Sequence, residues 1–240
     1  MPKPCETFLN FVDPSDQVSV LRNLACSSLV HHGFTHAMLC AHRGNDPLFL
    51  ALLRPYPSGD HIVAIEEQLT LATALGANRI AFCSTGRAWS ANDPVPPVCD
   101  DGDLRQRVVM VTQAALGHPS TDTPTDTTYL WPLEECLTGA APTVLHDGIG
   151  PLHSVLMQAV QQSEDHSPPE PWGDNQVLQT SAAIMLDLER DGHQFISLGP
   201  KLEHTLGLWL DRMSVHGGTS APAPQDTGVV TTPSQPSGPN

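Results

Sequence analysis

Lysine is almost missing from this sequence. The 240 residues carry 11 basic side chains against 26 acidic ones, a net charge of −15, and the only lysines are Lys3 and Lys201. A phosphate backbone is bound by clustered cations, each neutralised phosphate contributing through counterion release, and no window offers such a cluster. No nucleic-acid partner and no anionic membrane surface is expected. Chemistry built on a lysine base or Schiff base has little material to work with. Aromatics are also scarce, at 5%. No apolar run approaches the ~18 residues of a membrane-crossing helix. The start, Met1-Pro2-Lys3-Pro4-Cys5-Glu6, lacks the apolar centre of a secretory signal.

The cysteines, at 5, 26, 40, 83, 99 and 136, form no C-x-x-C pair, which removes support for a zinc ribbon or a thioredoxin-type site. Cys26, Cys40 and Cys83 sit inside apolar runs, where cysteine acts as a small hydrophobe. Reduced thiols and a cytoplasmic location are expected. Signatures of nucleophilic or phosphate chemistry are missing as well: there is no G-x-S-x-G elbow, no P-loop and no G-x-G-x-x-G.

What is present suffices for a packed core, with 40% hydrophobic residues. The clearest stretch runs from Asp60 to Ser90. Ile62, Ile65, Leu69 and Ala72 fall at helical spacing, widened by Leu71 and Leu75, with Asp60 as N-cap and Gly76 or Asn78 as the closing residue. Residues 79–83 follow as a strand-length apolar run. Upstream, Val18, Leu21, Leu24, Ala25, Leu29 and Val30 mark another helix, capped by Ser15 or Asp16 and closed by Gly33. The runs 35–41 and 47–53, split by His42-Arg43-Gly44-Asn45-Asp46, read as a hairpin. Residues 107–115 and 129–131 supply further strands.

This order predicts an α+β domain over residues 1–145, a mostly antiparallel sheet with two packed helices. Residues 146–214 read as a helical segment or small helical subdomain, with helices near 152–160, 177–186 and 200–213 and a short extended piece at 195–197. Residues 215–240, rich in Pro, Ser, Thr and Gly, read as a disordered tail.

Three places draw attention as sites. Ser84, Thr85 and Arg87, with Gly86, follow the apolar run as a loop that could hold an anion or a nucleotide phosphate; an ordinary strand-to-turn transition is the alternative. Trp89 closes that loop and joins it as a binding candidate, although Trp89 and Trp131 also read as core or edge anchors. Trp172, among prolines, is an exposed docking candidate. A metal site could draw on His36 and His42, on one face of a strand with Cys40, and on Asp100, Asp101 and Asp103. Glu66 and Glu67 could add carboxylates to it. The alternative readings are a buried Cys40, an exposed acidic turn, and the wet face of a helix.

The segment from Arg79 to Trp89, the spacer Pro94 to Pro97 and the strand entry from Asp103 to Val111 together resemble a pattern in small α+β domains of actinobacteria and their phages. The resemblance covers about an eighth of the chain. It implies an α+β domain and carries over no catalytic residues. With no complete catalytic constellation and no cofactor motif, the sequence points away from an enzyme. It points toward a binding or accessory module acting through protein contacts or self-association. A metal-dependent hydrolase and a small-anion sensor stand as alternatives.

Overall fold

A computed structural model describes residues 17–57, 60–88, 105–116, 126–136, 138–146, 150–166 and 175–207. Seven strands form a single sheet in the order β6-β5-β4-β3-β1-β2-β7. They are β1 (Met38–Arg43), β2 (Asp46–Leu52), β3 (Arg79–Ala88), β4 (Gln106–Ala115), β5 (Asp126–Pro132), β6 (Thr143–His146) and β7 (Gln194–Leu198). Every neighbouring pair is antiparallel. The α+β expectation holds.

The two-residue strand period divides the core in two. On one face Ile80, Phe82 and Ala114 meet helix α2 (His61–Ala74), α4 (Pro151–His166) and α5 (Asn175–Arg190). On the other, Ala81, Cys83, Val109 and Val111 meet α1 (Gln17–His32) and the single turn α3 (Leu133–Cys136). The extended piece expected at 195–197 is β7, which pairs with β2, and the expected last helix starts at Pro200 and is described to residue 207.

Several local expectations are met. Gly76, at φ 70°, closes α2, and Gly33, at φ 74°, closes α1 with its amide on the Leu29 carbonyl at 3.0 Å. Others need correction. Asp60 precedes α2 but makes no side-chain capping bond, because its φ of −91° and ψ of 9° lie outside the extended geometry that capping requires. The hairpin turn is tighter than expected: His42 and Arg43 belong to β1, leaving Gly44-Asn45 as the loop, with Gly44 at φ 57°. Val30 is 62% exposed and off the buried stripe of α1. The proposed caps Ser15 and Asp16 lie outside the described residues.

The largest correction concerns β3. It does not end at Cys83 but continues to Ala88, paired residue for residue from Ser84↔Met110 to Ala88↔Gln106. Ser84-Thr85-Gly86-Arg87 is strand, not loop. Pairing with the β-branched Val108 and Val109 overrides the turn-like composition.

The thiol expectation also changes. Cys26 of α1 is joined to Cys136 of α3 in a disulfide, with Cα atoms 6.3 Å apart, inside the range that disulfides span. Cys40 and Cys83 remain free and buried.

Candidate functional site

Past α4, which packs on β3 and β4, the sheet runs on through β5 and β6. The groove between these strands and the starts of α2 and α4 has a volume of about 580 Å³. Its floor is built by alternation. Phe82 faces the α2 side, so Ser84, Gly86 and Ala88 follow onto the same face. Val108 and Met110 of β4, Leu130 of β5 and Leu145 of β6 continue it. The one polar pair set into the floor satisfies itself: the Thr112 and Thr128 hydroxyls lie 3.1 Å apart. Tyr56, His61 at the start of α2, and Pro151 to His153 of α4 form the opposite wall.

The sequence pointed to this place and misread its form. Thr85 and Arg87 alternate to the other face and border the groove at its edge, whereas Ser84 and Gly86 face into it. Gly86 matters most. A Cβ there would meet nothing within 4 Å, so the missing side chain leaves open space in the floor. Sequence reasoning missed Met110, Leu130 and Leu145, since nothing local says that residues from three strands share a floor. Trp89, Trp172, Asp100, Asp101 and Asp103 lie outside the described residues.

The metal candidates are not brought together. His42, in β1, has no exposed surface, while His36 lies beyond the opposite end of that strand, roughly 15–20 Å of chain away. His36 instead borders a hollow of about 410 Å³ under the end of α1, with His31 and His32. Phe34, 53% exposed, packs edge-on to His36 with ring centroids 4.9 Å apart. Among the described residues no three His, Cys, Asp or Glu side chains converge in a way that would hold a metal ion.

His42 belongs to a buried polar knot. Gln17 Nε2 donates to the Cys40 carbonyl and to His42 Nδ1, both at 3.0 Å, and Gln113 Nε2 donates to Gln17 Oε1 at 3.3 Å. Nδ1 thus accepts and Nε2 carries the proton, with no partner for Nε2 among the described residues. Burial, aided by the charge of Arg79, lowers the imidazole pKa to about 4. The Cys40 and Cys83 thiols are pushed up to about 12 by burial, so thiolate chemistry is suppressed at neutral pH.

Glu67 is not on a wet face. Arg54 grips it with two hydrogen bonds of 2.7 Å, and the buried His193 donates from Nε2 to Oε2 at 2.8 Å. The Arg54 amide occupies His193 Nδ1 at 3.3 Å. These bonds use both imidazole nitrogens and tie the exit of β2 and the entry of β7 to α2. The Arg54 hydrogen bonds, despite opposing burial, hold the Glu67 carboxyl down at about 2. It reads as a structural clamp.

Both groups make the fold acid-sensitive, in separate windows. His42 binds its proton less readily folded than unfolded. Its contribution is present above about pH 6.5 and is lost as pH falls toward about 4, amounting to ~3 kcal/mol. Glu67 adds stability above about pH 4.5 that is lost as pH falls toward about 2. Urea titrations at stepped pH are expected to show decline beginning near 6.5. In His42→Asn the upper step disappears and the lower one stays; an unchanged upper step would assign it to other groups.

No family model, curated protein or solved structure matches this chain.

Proposed function

We propose that this protein is a non-catalytic binding module and that the sheet-floored groove is its binding surface. The observation that supports it is the groove's composition: a concave apolar floor of about 580 Å³, with neither a carboxylate nor a thiol among the described residues that line it. That volume lies in the range of small-ligand clefts, about 300–1,000 Å³. Gly86→Leu is the test, because a Cβ at this position has open space around it and the change removes a glycine that weakens a strand. Wild type is expected to bind the neutral apolar dye N-phenyl-1-naphthylamine. Gly86→Leu is expected to bind it at least about tenfold more weakly, ~1.4 kcal/mol, with an unchanged or raised melting temperature. Undiminished dye binding by a folded Gly86→Leu would overturn the reading.

A second reading, contact with a protein partner or a second copy, is supported by β6. This edge strand is exposed at all four residues, Val144 at 39% and Leu145 at 47%. The edge is short, which limits pairing, but it carries none of the charged or proline residues that commonly block it. Sedimentation across micromolar concentrations is expected to reveal self-association that Val144→Lys abolishes. A strict monomer removes the self-pairing version.

A further inference from the structure

We infer that the groove takes a single-chain amphiphile with a compact anionic head, a long-chain carboxylate. Its head lies at the starts of α2 and α4 and its tail runs across β4, β5 and β6. This rests on the groove being a binding surface.

The tail assignment follows from the floor. Phe82, Met110, Leu130 and Leu145 sit on four successive strands, giving about 14 Å of apolar path across the sheet. The Thr112–Thr128 hydroxyls within it are hydrogen-bonded to each other. Nothing polar is required of the tail.

The head assignment follows from charge. In a chain of net charge −15, none of the described lining residues is acidic, and the polar wall carries the imidazoles of His61 and His153 with the Tyr56 hydroxyl. Neither α2 nor α4 has an acidic residue in its first turn. Asp60, next to His61, lies outside the lining and makes no capping bond. A cationic head would find no carboxylate among the described lining residues. An anionic head meets imidazole, hydroxyl and the positive ends of two helices.

The test is displacement of bound N-phenyl-1-naphthylamine from the full chain at pH 7 by dodecanoate, dodecan-1-ol and dodecyltrimethylammonium, each below its micelle-forming concentration. Dodecanoate is expected to displace the dye at about tenfold lower concentration than the trimethylammonium compound, with the alcohol between them. His61→Glu keeps the fold, since a carboxylate suits a helix start, and is expected to weaken dodecanoate about fivefold more than it weakens dodecan-1-ol. Equal displacement by all three compounds, or a His61→Glu variant that binds dodecanoate as wild type does, overturns the inference. If the dye binds and Gly86→Leu blocks it while the charge series is flat, only the anionic head is wrong. If Gly86→Leu leaves dye binding intact, the groove reading itself falls and this inference with it.

Discussion

Complete reduction of the Cys26–Cys136 bond is expected to lower the melting temperature by roughly 10 °C, the equivalent of about 3–4 kcal/mol. The bond closes a sequence separation of 110 residues, so its loss returns a large loop entropy to the unfolded chain. It also ties α1, which packs on β3 and β4, to α3, which packs on β4 and β5. Without it α1 is held by its apolar stripe of Leu21 and Ala25, by the Gln17 knot, and by Arg22, which donates to the Cys136 carbonyl at 2.7 Å and lies over Trp131. Calorimetry with and without a phosphine reductant, beside a Cys26→Ser/Cys136→Ser double variant, checks this. The double variant should match the reduced wild type. A midpoint unmoved after mass spectrometry confirms full reduction would mean that the bond adds nothing to the fold.

Gly199→Ala is expected to cost about 3 kcal/mol, although it adds one methyl group. Gly199 follows β7 where the chain turns into the last helix, and its amide donates to the Leu48 carbonyl at 2.7 Å. The backbone approaches β2 so closely that a Cβ would run into the Pro47 carbonyl. Neither side of that contact is a flexible side chain, so β7 must shift away from β2 and loosen its pairing. The same movement strains the Glu67–His193 clamp, because His193 leads directly into β7. Chemical denaturation should report the loss. A Gly199→Ala protein as stable as wild type would show that the β2–β7 junction is looser than its hydrogen bond implies.

How legible this fold is depends on the range of the interactions that make it. The hairpin of β1 and β2 and the helix α2 are written in local periodicity, and both are found close to where the residues place them. β3 is half legible. Its apolar start reads as strand, but Ser84 to Arg87 have loop-like composition and become strand only because β4 pairs with them. The long-range features leave no local trace: Cys26 with Cys136, β2 with β7, and Glu67 with His193 at a separation of 126. Glu67 illustrates the cost of reading one helix alone. Helical spacing puts it on the polar face, and only Arg54 and His193 turn that face into a joint.

The site follows the same rule. The sequence drew attention to Ser84–Arg87 because small residues and an arginine follow an apolar run. As a strand, that stretch instead presents Ser84 and Gly86 to a floor shared with Met110, Leu130 and Leu145. His36 and His42 looked like partners from their even spacing. Burial of His42 and the position of His36 beyond the strand's start separate them.

Whether the groove is the binding surface is tested most directly by methyl NMR of the full chain, titrated with N-phenyl-1-naphthylamine. Shifts are expected to concentrate on Val108, Met110, Leu130, Leu145 and Leu152, whose methyl groups line the groove floor and its α4 wall. Shifts centred instead on Leu24, Met38, Leu52 and Ile196, which line the hollow beneath α1, would contradict it.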